Sequence, residues 1–117
     1  MYIFFDTETN GLWRRDLHPT DLNQPRLVSL GAIVCKDDET SVSHISLRSK
    51  PDTWTIPKEA SDINGITTEE AKSTGISIHS TMCVLTELLE QCHTIVAHNA
   101  AFDLQIIERE FYKHGIR

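Results

Sequence analysis

The chain has 117 residues, of which 11 are Lys or Arg and 17 are Asp or Glu, so its formal net charge is −6. This length fits one domain with its own core, and 39% apolar with 24% charged residues excludes a disordered chain. The acidic balance argues against a basic surface for nucleic acid, although carboxylates that hold divalent cations can still meet phosphates through the metal.

The ends of the chain and its cysteines predict a location. No apolar stretch approaches the roughly 18 residues that a membrane span needs. The N-terminal residues lack a basic region and reach Asp6 too soon for a signal peptide. The three cysteines are an odd number without CxxC spacing, which is typical of reduced thiols. We therefore expect a cytoplasmic protein with no membrane partner.

Three strands are predicted in the first part of the chain. Tyr2–Asp6 is apolar up to its last residue, which is typical of a strand buried on both faces or nearly so. A loop rich in Asn, Gly and Pro over residues 10–25 separates it from a second apolar run, Leu27–Cys35. A turn over residues 36–39 leads to an alternating stretch over residues 41–48. The second and third strands are therefore expected to pair antiparallel.

The spacing then changes to that of helices. Pro57 can occupy the first position of a short helix through Ala60. Thr67 and Glu70 form a capping box that opens another helix. Ser77 can cap a longer helix, whose apolar residues recur at helical spacing. These apolar residues are Ile78, Met82, Leu85 and Leu89.

A last strand and a last helix complete the pattern. His93–Ala97 is a short β-prone run, and Asn99 can cap a helix that begins near Ala100. One face of this helix is formed by Leu104, Ile107 and Phe111. The element order β-β-β-α-α-α-β-α predicts an α/β fold with a helical crossover between strands.

Three carboxylates stand at the ends of predicted elements. Asp6 and Glu8 lie two residues apart, so in a strand both side chains project from the same face. Asp103 lies in the first turn of the last helix, where the helix dipole favours an ionised carboxylate. Taken alone, Asp6 and Glu8 are also compatible with a solvated strand end. Asp103 alone is also compatible with an ordinary helix start.

The residues around these acids resemble the motifs of one enzyme family. Phe4–Leu12 (FFDTETNGL) resembles the first motif of the DEDD superfamily of 3′–5′ exonucleases, and Ala97–Asp103 (AHNAAFD) resembles its second motif. Between them, Arg26–Ala32 and Ile56–Thr67 resemble segments of the proofreading-subunit branch, in which His is usual at the position of Asn64. The match runs in order from residue 2 to about 111.

The resemblance implies a ribonuclease-H-like fold, a mixed sheet with flanking helices whose first three strands are antiparallel. It also implies that phosphodiesters are hydrolysed from the 3′ end by two divalent ions, Mg²⁺ or Mn²⁺. By position, Asp6 would bridge both ions, Glu8 would bind one, and Asp103 would hold the other largely through water. The expected substrate is the 3′ end of single-stranded DNA, with RNA as the alternative.

The resemblance also implies residues that contact the substrate. The wall that meets the terminal nucleotide would be formed by Thr9, Asn10, Gly11 and Leu12. His98 and Asn99 are further candidates, with packing of His98 at a strand end and helix capping by Asn99 as the alternatives.

The family's third motif, His-x4-Asp or Tyr-x3-Asp, does not follow the second motif in residues 104–117. No aspartate follows Asp103, although Tyr112 and His114 are present. We therefore expect residues 1–117 to be the N-terminal portion of a single exonuclease domain, truncated before the third motif. A missing C-terminal segment or a partner chain would supply that motif. The alternative functions are a remnant that binds a metal, a strand end or a partner without turnover, and a plain structural α/β domain.

Overall fold

The computed structural model describes residues 1–114, which form four strands and four helices. The strands are β1 (Tyr2–Thr9), β2 (Leu27–Cys35), β3 (Ser41–Arg48) and β4 (Thr94–Ala97). The helices are α1 (Lys58–Asn64), α2 (Thr68–Thr74), α3 (Ile78–Glu90) and α4 (Ala100–Lys113). The predicted element order is confirmed. Within these residues no helix is both long and apolar enough to cross a membrane.

The strands form one mixed sheet in the order β3-β2-β1-β4. β2 pairs antiparallel with both β1 and β3, whereas β4 pairs parallel with β1. A parallel neighbour cannot be reached by a tight turn, so the chain crosses from β3 to β4 through α1, α2 and α3. This crossover brings the end of β4, and the start of α4, beside the end of β1 that carries the two acids.

β1 is buried on one face only, which corrects the prediction of a strand buried on both faces. Ile3 and Phe5 are buried against the helices, whereas Phe4 on the other side is 41% exposed. We call this second side the open sheet face, and it is formed by Phe4, Ile33, His44 and Val96. The first residues of β1 are apolar on both sides, and the prediction rested on that run alone, although Asp6 and Glu8 lie on the same side as Phe4.

Two apolar clusters hold the helices to the sheet. The main cluster packs α3 and α4 against β1 and β2, and its residues are Ile3, Phe5, Leu27, Leu30, Ala32, Val34, Ile78, Met82, Leu85, Ile106 and Ile107. The second cluster holds α1 and α2, and its residues are Val28, Ile56, Ala60, Ile66 and Ala71. Glu8 pairs with Ser29 but Thr9 pairs with Leu27, so Val28 is an extra residue in β2. This bulge turns Val28 into the second cluster.

The predicted N-caps are confirmed for two of the helices. The side chain of Thr67 accepts a hydrogen bond from the backbone N–H of Glu70, and that of Ser77 accepts one from Ser80. Asn99 does occupy the N-cap position of α4, but its side chain makes no capping hydrogen bond. The prediction of side-chain capping at Asn99 is therefore wrong.

α1 is longer than predicted, because it continues past Ala60 to Asn64. Pro57 takes the N-cap position rather than the first helical position. The helix ends at Gly65, whose φ of 75° lies in the left-handed region that glycine adopts without strain.

α4 buries a more polar side than the sequence predicts. Of the predicted apolar face, Ile107 is buried, while Leu104 and Phe111 lie half-buried at its edges. The buried residues of this helix are Asp103, Ile106, Ile107, Arg109 and Glu110. Helical spacing of apolar residues therefore located the helix but not the three charged side chains that it turns inward.

Gly75 lets the chain that follows α2 pass close to the end of β3. A Cβ atom at this position would lie 2.5 Å from the carbonyl oxygens of both Ala71 and Ser49. Because backbone atoms cannot move aside cheaply, we expect Gly75→Ala to lower the free energy of unfolding by about 1–3 kcal/mol in urea titrations. Gly31→Ala is the control, since a Cβ there meets nothing within 4 Å. Equal loss in both variants would contradict this packing.

Candidate active site at the end of β1

Asp6 and Glu8 project from the same exposed side of β1, as their spacing predicts. Thr7, between them, faces the opposite, buried side. The hydroxyl of Thr7 donates a hydrogen bond to Oδ1 of Asp103, with an O···O distance of 2.5 Å. This bond joins β1 directly to the first turn of α4.

Asp103 is almost completely enclosed, with 2% of its surface exposed. Its backbone N–H donates to the carbonyl of Asn99, which begins the hydrogen bonding of α4. Its Oδ2 atom is buried and has no hydrogen-bond partner among residues 1–114. Leaving a buried carboxylate oxygen without a donor is costly. One carboxylate oxygen of Asp103 is therefore hydrogen-bonded to Thr7, whereas the other has no donor among residues 1–114.

The three acids influence one another electrostatically. The pKa of Glu8 is raised above its ordinary value of 4.5, first by the loss of water around its carboxyl and then by the negative charges of Asp6 and Asp103. In the described part of the chain, no three His, Cys, Asp or Glu side chains stand in an arrangement that is ready to hold a metal. Electrostatic repulsion between carboxylates acts over longer distances than metal–oxygen bonds of about 2.1 Å. The three acids can therefore influence one another's charge without being arranged as a ready metal site.

The donor set nevertheless fits a hard divalent cation. Carboxylate oxygens are the ligands that Mg²⁺ and Mn²⁺ prefer. Oδ2 of Asp103 lacks a partner among residues 1–114. The pKa of Glu8 is raised first by loss of water and then by the negative charges of Asp6 and Asp103. A positive ion among these acids would offset both costs.

The raised pKa of Glu8 predicts a pH-dependent effect on stability. Folding favours the protonated form, so the free energy of unfolding falls as pH rises from about 4.5 through the raised pKa. In EDTA, we expect Glu8→Gln to melt at a higher temperature than the unmodified chain at pH 7, and at nearly the same temperature at pH 4. Saturating Mg²⁺ should reverse the order at pH 7. A pH-independent difference between the two melting temperatures would contradict this assignment.

A groove of about 520 Å³ opens beside Glu8, between the end of β1 and α1, and we call it the β1–α1 groove. Its lining consists of Thr7, Glu8, Thr9, Asn10, Gly11, Leu12, Pro57, Glu59, Ala60, Ile63, Asn64 and Phe102. Leu12 and Ile63 are each 85% exposed. The volume lies within the range of roughly 300–1,000 Å³ that is typical of ligand pockets.

The four predicted wall residues all line this groove, but they use their side chains differently. Asn10 donates to the carbonyl of Thr55 at 3.0 Å and accepts from the backbone N–H of Arg26 at 2.7 Å. Both ends of its amide are thus engaged in shaping the loop. Thr9 donates its hydroxyl to the carbonyl of Gly11 at 2.7 Å. Among the four, Leu12 is therefore the side chain most open to a ligand.

His98 and Asn99 lie outside the β1–α1 groove. His98 is exposed and lines a second cavity, of about 690 Å³, on the open sheet face. Asp6 lines the same cavity. Asn99 is exposed at the start of α4. The acids on β1 therefore border two different spaces, with His98 beside Asp6 and the wall residues beside Glu8.

Ile63 and Phe102 are groove residues that the sequence analysis missed. Ile63 is the one large apolar residue of α1 and is exposed, and a large apolar residue among the polar residues of a short helix is a signal that could have found it. Phe102 lies within the second motif, directly before Asp103.

Asn64 stabilises the local structure, because its amide donates to the carbonyl of Thr9 at 3.4 Å and accepts from the N–H of Ile66 at 3.0 Å. It ties the end of α1 to the end of β1.

Comparison with known proteins identifies the family. The sequence profile of the RNase T family, described as exonuclease, matches residues 3–117. The chain belongs to this exonuclease family. The resemblance read from the two motifs is therefore confirmed. No curated protein matches the sequence significantly.

Solved structures of exonuclease I share the fold of this exonuclease domain. E. coli exonuclease I in complex with a dT13 oligonucleotide has a TM-score of 0.81 at 24% identity, over 98% of this chain and 24% of that chain. A complex of exonuclease I with SSB-Ct has a TM-score of 0.79 at 25% identity, over 98% and 24% of the two chains. The predicted fold class is confirmed. This exonuclease domain spans about a quarter of the length of those chains.

Proposed function

We propose that this exonuclease domain removes nucleotides from the 3′ end of single-stranded DNA in a metal-dependent reaction. The observation that carries the proposal is the meeting of Asp6 and Glu8 on β1 with Asp103 on α4, next to a groove of nucleotide size. Membership of the exonuclease family supports hydrolysis of phosphodiesters. Similar structures of E. coli exonuclease I contain dT13 and dA16 oligonucleotides, which supports DNA rather than RNA as the substrate.

The residues that hold two Mg²⁺ or Mn²⁺ ions in this proposal are Asp6, Glu8 and Asp103. When bound, such ions lower the pKa of a water molecule to make a nucleophile and offset the charge on the leaving 3′-oxygen. Thr7 keeps Asp103 turned toward β1 through its hydroxyl. Cations held by these carboxylates would also explain how a chain of net charge −6 meets phosphates, because they would offset the negative charge on both sides.

The terminal nucleotide occupies the β1–α1 groove in this proposal. Leu12 and Ile63 cover its base from the rim, and Phe102 contributes a further apolar surface. Apolar and stacking contacts accept every base, because each base has a flat face. The groove therefore supports removal of nucleotides without strong sequence preference.

We place this activity in the cytoplasm, where the free thiols of Cys35, Cys83 and Cys92 stay reduced.

Ile63→Ala tests the assignment of this groove. Losing the buried contact between Ile63 and a base should raise KM for a single-stranded oligonucleotide about 10-fold, with kcat little changed, because one apolar contact contributes about 1–2 kcal/mol. Leu22→Ala is a matched control, since Leu22 is also exposed, at 79%, but does not line the groove. Equal KM values for the two variants would contradict the assignment.

A digestion time course tests the proposed activity itself. A 5′-labelled single-stranded DNA is incubated with the chain in Mg²⁺, in Mn²⁺ and in EDTA, beside an RNA of the same sequence. We expect a ladder that shortens from the 3′ end of the DNA, more slowly for RNA, and no ladder in EDTA. Shortening that persists in EDTA, or cutting within the strand, would contradict the proposal.

Binding without turnover is the second candidate function. It is favoured because, among the residues that the structure describes, no three His, Cys, Asp or Glu side chains stand ready to hold a metal ion. In that case the chain retains a labelled 3′ end in fluorescence anisotropy but produces no ladder. A polypeptide that carries the third motif, either a further segment or a partner chain, then restores turnover when it is added. Cleavage by the chain alone would exclude this candidate.

A further inference from the structure

Glu110 is a buried acid that the proposed chemistry does not use. It lies on α4 seven residues after Asp103, and two helical turns return a side chain to nearly the same face. Its side chain is 0% exposed. The carboxylate accepts a hydrogen bond from the backbone N–H of Leu27 at 2.9 Å, and from Nε and Nη2 of Arg26 at 3.2 and 3.0 Å. Glu110 thus joins α4 to the start of β2.

Arg26 carries this connection on to the end of β1. Its side chain is 4% exposed and lies over the ring of Trp54, with 5.5 Å from the guanidinium carbon to the ring centroid. Its backbone is bonded twice to Asn10. The N–H of Arg26 donates to Oδ1 of Asn10 at 2.7 Å, and its carbonyl accepts from the N–H of Asn10 at 3.2 Å. Asn10 directly follows β1, two residues after Glu8.

Two polar links therefore hold α4 against the end of β1. One is the hydrogen bond between Thr7 and Asp103. The other, which we call the Arg26 tie, runs from Glu110 through Arg26 to Asn10. The first link lies at the acid itself, and the second lies two turns further along the helix. Together they hold α4 at two points along its length.

Stability alone is a poor explanation for the Arg26 tie. Removing two charges from water offsets most of their attraction, so a buried ion pair contributes little net stability compared with apolar residues of similar size. Ile106 and Ile107 already pack α4 on the sheet. Apolar packing is not directional, whereas the fork of a guanidinium and a backbone N–H specify one orientation of a carboxylate.

We infer that Glu110 and Arg26 are positioning residues that set the placement of Asp103 relative to Glu8. The inference rests on the proposed function, since that placement matters only if acids from β1 and α4 share a cation. A cation needs its oxygen ligands within a few tenths of an ångström, so a small slide of α4 weakens binding. The Arg26 tie prevents that slide without touching the cation or the substrate.

The test removes the charges of the Arg26 tie and retains its shape. In the double variant Arg26→Met with Glu110→Gln, the glutamine oxygen can still accept from Leu27, and no buried charge of the pair is left alone. Asp52, which lies 4.0 Å from Arg26, is 56% exposed and stays hydrated. We expect this variant to fold, judged by circular dichroism and thermal melting, and to bind Mn²⁺ about 10–100-fold more weakly in calorimetric titration, as is usual when a residue that orients a metal ligand is changed. An Mn²⁺ affinity within twofold of the unmodified chain would overturn the inference.

Two further variants separate positioning from a general loss of stability. Met82→Ala creates a cavity between α3 and the sheet, away from the Arg26 tie. It should lower the melting temperature but leave the Mn²⁺ affinity unchanged at temperatures where the protein is folded. Arg26→Lys retains the charge but loses the planar fork, and should weaken Mn²⁺ binding even if the double variant does not fold. Weakening by Met82→Ala as large as that by Arg26→Lys would overturn the inference.

The same titrations distinguish failure of this inference from failure of the proposed function. If the unmodified chain binds Mn²⁺ and Asp6→Asn does not, the cation site is established. Tie variants that then bind normally overturn the positioning role alone. If the unmodified chain and Asp6→Asn bind Mn²⁺ equally, both the site and the inference that rests on it are wrong.

Discussion

Replacing Asp6 with asparagine is expected to slow nucleotide removal by roughly 10³-fold or more, while the protein stays folded. Asp6 is exposed on β1 and stands opposite Gly31, so an amide fits the same space. What the substitution removes is the charge that attracts a divalent cation. Initial rates on a 5′-labelled single-stranded DNA at saturating Mg²⁺ measure the loss.

Asp38→Asn provides the matched control for Asp6→Asn. Asp38 lies in the turn between β2 and β3, at the end of the sheet opposite the β1–α1 groove, where it accepts from the N–H of Thr40 at 3.0 Å. The same chemical change there should leave the rate unaltered. Full activity of Asp6→Asn, or equal losses in the two variants, would refute the role of Asp6.

Truncating Glu110 to alanine is expected to have the largest effect on stability. The variant leaves the guanidinium of Arg26 and the N–H of Leu27 buried without their acceptor. Breaking a buried ion pair in this way costs about 3–5 kcal/mol, a large part of the 5–15 kcal/mol that stabilises a typical domain. Urea unfolding at pH 7, followed by circular dichroism, measures the loss.

Lys58→Ala is the matched control for an exposed ion pair. Lys58 contacts Asp62 at 2.9 Å on α1, and the two side chains are 85% and 61% exposed. Pairs of this kind contribute about 1 kcal/mol or less. The Glu110 variant should therefore lose several times more stability than the Lys58 variant. Similar losses in the two variants would show that the Arg26–Glu110 pair is not shielded as its burial indicates.

The sequence predicted the fold well where local patterns suffice. β2 and β3 follow from an apolar run, a turn and an alternating stretch, and Thr67 and Ser77 cap their helices as their residue types predict. The open sheet face was missed because Phe4 and Phe5 are equally apolar, although Phe4 lies on the same side of β1 as Asp6 and Glu8. Which helices cover the other side depends on where α3 and α4 pack, and that is a tertiary property.

In the candidate site, residues that belong to local sequence motifs were predicted, whereas contacts between distant parts of the chain were not. The acids Asp6, Glu8 and Asp103 came from motifs, which are local in sequence. The Arg26–Glu110 pair joins residues 84 positions apart, and no spacing rule relates them. Asn10 illustrates a third case, because its motif implied a substrate contact, whereas its amide bonds to Arg26 and Thr55.

In the proposed function, carboxylates from β1 and α4 form one site for a divalent cation. Its most direct test is calorimetric titration of Mn²⁺ into the unmodified chain and into Asp103→Asn. Asp103 is the acid contributed by α4, and it makes no contact with solvent through Oδ2. We expect Mn²⁺ to bind the unmodified chain and to bind the variant at least about 10-fold more weakly. Identical isotherms for the two proteins would contradict it.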